Sequence, residues 1–118
     1  MRSFVTEYRV TFSDTDAMGV VYYANYFDWF EIGRTEFFRN LVIPYKDIDA
    51  QGFVIPVTEA YCRYIKPARY DEVVLIDTWV KELKRATITF EYNIAQKGNG
   101  IQLATGYTVH AFLNKEGR

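Results

Sequence analysis

Between Tyr23 and Leu41, apolar residues recur at spacings of three and four: Tyr23, Tyr26, Phe27, Phe30, Gly33, Phe37, Phe38 and Leu41 share one face of a helix. Asp28, Glu31, Thr35, Glu36 and Arg39 lie largely off that stripe. The sequence on either side has a different period. Upstream, Phe4, Tyr8, Val10 and Phe12 alternate with Val5, Glu7, Arg9 and Thr11, which predicts a strand with one apolar face. Downstream, Val54 to Ile65, Val73 to Leu83, Thr87 to Ile94 and Ile101 to Phe112 are rich in β-branched and aromatic residues. The third of these alternates most sharply, with Ile88, Phe90, Tyr92 and Ile94 on one side and Thr87, Thr89, Glu91 and Asn93 on the other. Lys97-Gly98-Asn99-Gly100 is a hairpin turn signal. Ile43-Pro44-Tyr45 and the polar run from Lys46 to Gly52 read as a connection after the helix, since Pro44 disfavours helix at Ile43.

The expected order is strand, helix, four strands. A single helix followed by consecutive strands predicts an α+β domain in which an antiparallel sheet covers one apolar face with that helix. Gly33, in the middle of the stripe, costs roughly 1 kcal/mol in helix propensity relative to Ala, so a close approach of sheet to helix is expected there. Gly106 in the last strand predicts a bulge or the close approach of other backbone.

At 118 residues the chain forms one domain, residues 1–118, long enough to bury about two-thirds of its unfolded surface. A hydrophobic fraction of 49%, with ten Tyr, nine Phe and two Trp, leaves aromatic surface for a pocket or a partner, and an oligomer is expected. A formal net charge of −1 argues against bulk attraction to nucleic acid. No apolar run approaches the roughly 18 residues of a membrane span, and Met1 to Tyr8 lacks a signal-peptide core, so a cytoplasmic protein is expected. The single Cys62 makes no internal disulfide, and no metal-ligand spacing is present; core filling in a reducing compartment is its expected role. His110, the only histidine, is expected to be a hydrogen-bonded sheet residue, because no Ser or Cys motif pairs with it.

The junction between the first strand and the helix carries the chemistry. Asp14-Thr15-Asp16-Ala17-Met18-Gly19 places carboxylates just before a helix start, beside unpaired backbone N–H groups and the positive end of the helix dipole, where an oxyanion can be held. The same Asp residues can also simply cap a turn or the helix.

Asp14-Thr15-Asp16-Ala17-Met18-Gly19-Val20-Val21-Tyr22, with Asn25-Tyr26 and Arg34-Thr35-Glu36-Phe37 beyond it, resembles the hotdog-fold acyl-CoA thioesterases of the 4-hydroxybenzoyl-CoA thioesterase family, including their broad-specificity branch associated with the bacterial Tol-Pal cluster. Tyr64-Ile65-Lys66-Pro67-Ala68-Arg69-Tyr70-Asp71-Glu72 is similar to a second stretch of that family, so the resemblance covers nearly the whole chain. It implies a long central helix wrapped by an antiparallel sheet of about five strands, and homodimers or homotetramers with active sites at subunit interfaces. It further implies hydrolysis of an acyl-CoA to a carboxylic acid and free CoA without a cofactor. On this resemblance Asp16 is the catalytic nucleophile or general base, and the backbone N–H of Tyr23 is the oxyanion donor. The Tyr23 side chain stands where many short-chain enzymes have His and the 4-hydroxybenzoyl-CoA enzymes have Tyr, and it also reads as the first core residue of the helix. Gly19 and Val20 are implied to bind substrate. Glu31 is a reserve carboxylate, because another hotdog branch carries its acid on the central helix.

Arg63, Lys66, Arg69, Lys81, Lys84 and Arg85 are either a solvated surface or a phosphate-holding one; the resemblance assigns Lys84 and Arg85 to the nucleotide of coenzyme A. Two alternatives remain open: an acyl carrier protein in place of CoA, and a non-catalytic acyl-thioester binding module. Relatives commonly continue past Asn114-Lys115-Glu116-Gly117-Arg118 into a Pro-containing tail.

Overall fold

The computed structural model describes residues 2–41 and 53–114. The expected connection from Ile43 to Gly52 and the turn from Lys115 to Arg118 lie outside the described residues. The first strand, β1 (Ser3–Arg9), is followed by a 3-10 turn (Phe12–Asp14) and the helix α1 (Asn25–Arg39). The later strands are β2 (Phe53–Val54), β3 (Val57–Tyr64), β4 (Val73–Leu83), β5 (Thr87–Gln96), β6 (Gln102–Ala111) and β7 (Leu113–Asn114). Five of them form one antiparallel sheet in the order β1-β4-β5-β6-β3, and β2 pairs with β7. Among the described residues no helix is long and apolar enough to cross a membrane.

The period-two pattern sets the core. Ile88, Phe90, Tyr92 and Ile94 of β5 and Val74, Ile76 and Thr78 of β4 are buried against α1, which contributes Tyr26, Trp29, Phe30, Phe37 and Phe38. Phe30 stacks on Tyr92 with ring centroids 4.2 Å apart, and Phe37 and Phe38 meet Phe90 edge-on. The two interior glycines are where the layers come closest. A Cβ on Gly33 would stand 2.4 Å from Thr78 Oγ1 and 2.8 Å from the Ile76 methyl. A Cβ on Gly106 would stand 2.3 Å from the Tyr61 carbonyl oxygen of β3 and 2.6 Å from the Phe30 ring.

Three expectations are corrected. Phe12 does not continue the apolar face of β1: the strand ends at Arg9, the chain turns at the 3-10 segment, and Phe12 is 75% exposed against Tyr70. The stretch from Val54 to Ile65 is two strands rather than one, broken at Ile55-Pro56, because proline offers no N–H to a ladder. β2 and β7 then form a small second sheet that periodicity does not indicate. Tyr23, finally, precedes the helix and is 59% exposed, so it is not a core residue.

β3 occupies an edge of the main sheet, and α1 packs mainly over β1 and β4 and only lightly on β3. A cleft therefore runs along the seam between α1 and β3.

Candidate active site

The acidic loop is braced at both ends. Val10 donates its N–H to the Glu72 carbonyl at 2.8 Å, and Asp71 donates back to Val10 at 3.0 Å. Asp71 adopts a φ of 71°, a left-handed geometry that Asp tolerates better than most residues. The Asp14 carboxylate accepts from the Tyr8 hydroxyl at 2.7 Å and the Thr11 N–H at 2.9 Å. Burial first, and the bond to Asp14 second, push the Tyr8 hydroxyl pKa up. The Asp14 carbonyl accepts from the Tyr22 N–H at 2.9 Å and the Asn25 side-chain amide at 2.8 Å. Asp14 thus ties β1, the loop and the first turn of α1 together.

Asp16 sits inside the loop that this brace holds. Thr15 bridges to Val21, the Asp16 N–H donates to the Val20 carbonyl at 2.9 Å, and the Gly19 N–H donates to the Asp16 carbonyl at 3.0 Å. The reversal needs a φ of +80° at Gly19, which a side chain would strain. One carboxylate oxygen of Asp16 accepts the Met18 N–H at 2.8 Å, and the other has no partner among the described residues. Its charge reaches Tyr22, whose hydroxyl pKa is raised first by a bond to Tyr23 and also by the nearby Asp16.

The first turn of α1 is open toward solvent. Asn25, Tyr26 and Phe27 donate to the carbonyls of Tyr22, Tyr23 and Ala24, while the N–H groups of Tyr23 and Ala24 have no acceptor among the described residues. Tyr23 also lines a recess of about 270 Å³, together with Val21, Tyr26, Tyr64, Ile65 and Lys66. The Tyr64 hydroxyl donates to the Tyr23 carbonyl at 2.8 Å and fixes the end of β3 to the helix start. Burial, then the neighbouring Cys62, raises the Tyr64 pKa far above its ordinary value, so Tyr64 is a permanent donor here. Cys62 is half-buried, and desolvation pushes its thiol pKa up, the opposite of an activated nucleophile. Sequence reasoning missed Tyr64 and Tyr26 as walls of this recess; the signal available was the Tyr64-Ile65-Lys66-Pro67 stretch.

Lys84 and Arg85 stand elsewhere. They are exposed in the turn between β4 and β5, with Lys84 3.5 Å from Glu82. β4 begins at Val73, paired with Arg9 beside the acidic loop, and its eleven residues extend roughly 33 Å before that turn. Within one subunit the structure therefore does not bring Lys84 and Arg85 to Asp16. Among the described residues, Lys66 is the cation that lines the recess.

At the far end of the α1–β3 cleft is a buried polar relay. Arg34 donates to the Tyr92 hydroxyl at 3.2 Å, Tyr92 and Thr108 share a bond of 2.6 Å, and Thr108 lies 2.8 Å from His110 Nε2. His110 Nδ1 is 2.9 Å from the Ile55 carbonyl. A carbonyl only accepts, so Nδ1 carries the proton and Nε2 accepts from Thr108. Every bond then runs in one direction, from Arg34 to His110. Desolvation holds the His110 pKa below its ordinary value, and Arg34 lowers it further against the bond to Ile55. A histidine that stays neutral in the fold but charges when unfolded costs stability as pH falls below the unfolded value of about 6.5. Thermal unfolding from pH 8 to pH 5 should show the wild type losing up to about 1.4 kcal/mol per pH unit below that point relative to His110→Asn. Parallel pH profiles for the two proteins would contradict the neutral assignment.

Comparison with known proteins places the chain among thioester hydrolases. Residues 10–118 match the thioesterase-like superfamily. The chain is 36% identical over 98 residues to an acyl-CoA thioesterase, YbgC, of Haemophilus influenzae, covering 82% of this chain and 72% of that protein. It is 26% identical over 107 residues to the 4-hydroxybenzoyl-CoA thioesterase of a Pseudomonas species, covering 86% of this chain and 76% of the relative. Among solved structures, a DHNA-CoA thioesterase from Staphylococcus aureus superposes with a TM-score of 0.92 at 33% identity, over 98% of this chain and 77% of that one. The helix on a five-stranded antiparallel sheet is the hotdog arrangement.

Proposed function

The chain belongs to the thioesterase-like superfamily, and from that premise we propose that it hydrolyses acyl-CoA thioesters at the junction of the acidic loop and α1. The observation that carries this reading is the pairing of an oriented carboxylate with an open helix start in one braced loop. Asp16 has one oxygen held by Met18 and the other unengaged among the described residues, and Tyr23, whose N–H has no acceptor among those residues, lines the adjoining recess. In this mechanism the Asp16 carboxylate either attacks the thioester carbonyl or takes a proton from water that does so. Negative charge developing on the carbonyl oxygen is met by the Tyr23 N–H and the positive end of the helix dipole. The C–S bond breaks, and CoA leaves as the thiolate, which takes its proton from water or from the protonated Asp16. On the nucleophilic route water then hydrolyses the acyl–Asp16 anhydride to the free acid. Preorganised N–H donors of this kind contribute roughly 2.7–4 kcal/mol each to the transition state. Gly19 and Val20 act by holding the loop in shape beside the acyl group. Release of free CoA from a panel of short, long and aromatic acyl-CoAs tests the reading. Binding without release would reassign the chain to the non-catalytic class, and turnover confined to acyl carrier protein thioesters would change the carrier.

Assembly belongs to the same proposal. β3 is an edge strand with Val57, Tyr61 and Tyr64 each more than two-fifths exposed, the kind of edge that proteins cover. In this proposal the protein is a cytoplasmic homodimer or homotetramer joined at that edge, with the shared sites that the resemblance implies. Placement in the broad-specificity, Tol-Pal-associated branch rests on the loop motif alone.

Assembly also gives Lys84 and Arg85 a role, since a neighbouring subunit is required to bring their turn to a recess about one strand length away. Changing both to Ala should raise KM for acyl-CoA several-fold with kcat nearly constant, because exposed ion pairs contribute about 0.2–1 kcal/mol each and act equally in ground and transition states. The effect should shrink for a pantetheine thioester without the nucleotide and in higher salt. Equal loss on full and truncated substrates would withdraw the phosphate assignment.

A further inference from the structure

The cleft between α1 and β3 continues beyond the recess at Tyr23. Tyr64, Cys62 and Ala60 are successive helix-facing positions of β3, and after the Tyr26–Tyr64 contact the seam opens again into two adjoining hollows of about 280 and 190 Å³. Both are lined by Glu31, Arg34 and Val57; the larger adds Phe27, Asp28 and Ala60. Phe27 and Ala60 supply apolar surface on the side nearer the Tyr23 recess, beside the Asp28 carboxylate, and Glu31 and Arg34 carry charge farther along.

The charged side has an unusual arrangement. Glu31 and Arg34 are three residues apart on one helix face, a spacing at which ion pairs commonly form. They form none among the described residues, because Arg34 is drawn inward to the Tyr92 hydroxyl and held there by the relay to His110. Arg34 has five N–H donors and spends one on Tyr92, so it faces the hollow with donors left over. Glu31 faces the same hollow as an acceptor. Two carboxylates, Asp28 and Glu31, against one guanidinium make the hollow unfavourable for an anion.

We infer that the hollow bounded by Glu31 and Arg34 binds a hydroxyl group on the distal part of the acyl chain, and that the substrate class is a medium-chain acyl thioester hydroxylated near its far end. A hydroxyl donates to Glu31 and accepts from Arg34 at once; a methyl end does neither, and a carboxylate end meets Asp28 and Glu31. Asp28 and Glu31 lie five and eight residues past Tyr23, so the hollow stands roughly 8–12 Å along the helix axis from the thioester. An extended medium chain is long enough to span that distance past the Tyr26–Tyr64 contact, and a single benzoyl ring is not. The inference rests on the hydrolase reading and adds the acyl class to it.

The test compares kcat/KM for octanoyl-CoA, 8-hydroxyoctanoyl-CoA and the ω-carboxy analogue, with wild type and with Glu31→Leu and Arg34→Met. The hydroxylated substrate should exceed the plain one by about 10-fold, as for a hydrogen bond to charged groups, with the ω-carboxy analogue poorest. Glu31→Leu, a change at an exposed position, should bring the ratio of hydroxylated to plain substrate toward one, and Arg34→Met should do the same. Equal rates on hydroxylated and plain chains, a preference for the carboxylate, or a ratio that survives Glu31→Leu would each overturn the inference while leaving the hydrolase intact. Absence of thiol release from all three substrates, with release from other members of the acyl-CoA panel, would overturn this inference alone; absence of release from the whole panel would overturn the hydrolase reading and this inference with it.

Discussion

Asp16→Asn should lower kcat by at least about 100-fold, the scale of losing a general base, and leave the melting temperature almost unmoved. The two halves of the expectation have separate causes. The amide oxygen of Asn can still accept the Met18 N–H, and the backbone bonds from Asp16 to Val20 and Gly19 do not involve the side chain, so the loop keeps its shape. What disappears is the negative charge, which the unengaged oxygen would use on the thioester carbonyl or on water. Steady-state kinetics and a thermal melt on the same preparation check both. A variant that keeps more than half the wild-type rate would remove Asp16 from the chemistry. A variant that is inactive and also much less stable would show that the loop's structure had been lost.

Gly106→Ala should destabilise the domain far more than Gly98→Ala, although each adds a single methyl group. The Cβ at position 106 would meet the Tyr61 carbonyl oxygen at 2.3 Å and two atoms of the Phe30 ring at under 2.8 Å. The Phe30 ring is pinned between Phe27 and Tyr92, and the Tyr61 carbonyl is part of β3, so neither can yield by a rotamer change. Overpacking of this kind costs about 3 kcal/mol at its upper end, a fall in melting temperature of roughly 10 °C for a domain of this size. Gly98→Ala is the control: nothing lies within 4 Å of its Cβ, and the change should fall within about 0.5 kcal/mol of wild type. Similar melting temperatures for the two variants would contradict the close approach of β3 to β6 and α1. Because β3 also forms one wall of the α1–β3 cleft, activity should fall with stability at Gly106 and not at Gly98.

The elements whose identity depends on local period were legible in the sequence. The stripe from Tyr26 to Phe38 marks α1, the span from Val73 to Leu83 marks β4, and the glycines interrupting the helix stripe and the last long strand are the two points of closest layer contact. Properties set by distant partners were not legible. Periodicity marks β-structure around β3 but neither its start after Pro56 nor its place at the sheet edge, because strand order depends on which ladders close, and with it went the opening of the cleft along α1. Trp29, three residues past Tyr26 and four before Gly33, borders the stripe and is 1% exposed, because the Tyr8 ring of β1 and the Tyr26 ring close over it. Phe12 continued the alternation in sequence, but the Asp14 brace turned the backbone before it could join the sheet.

At the site, the motif indicated the loop and its carboxylate; the walls and the cations needed coordinates. Tyr64 is forty-one residues from Tyr23, and only the antiparallel return of β3 beside the helix start brings its hydroxyl to the Tyr23 carbonyl. Lys84 and Arg85 show the reverse. Their turn follows β4 directly, and the length of that strand carries them away from the loop that its first residue touches.

The central claim is that the loop around Asp16 turns over thioester rather than holding it. Counting equivalents of free CoA released per subunit, with enzyme far below substrate and wild type run beside Asp16→Asn, tests that claim most directly. Wild type should release many equivalents, and Asp16→Asn should give a near-flat trace over the same interval. Release that stops at or below one equivalent per subunit, or two traces that coincide, would contradict the claim.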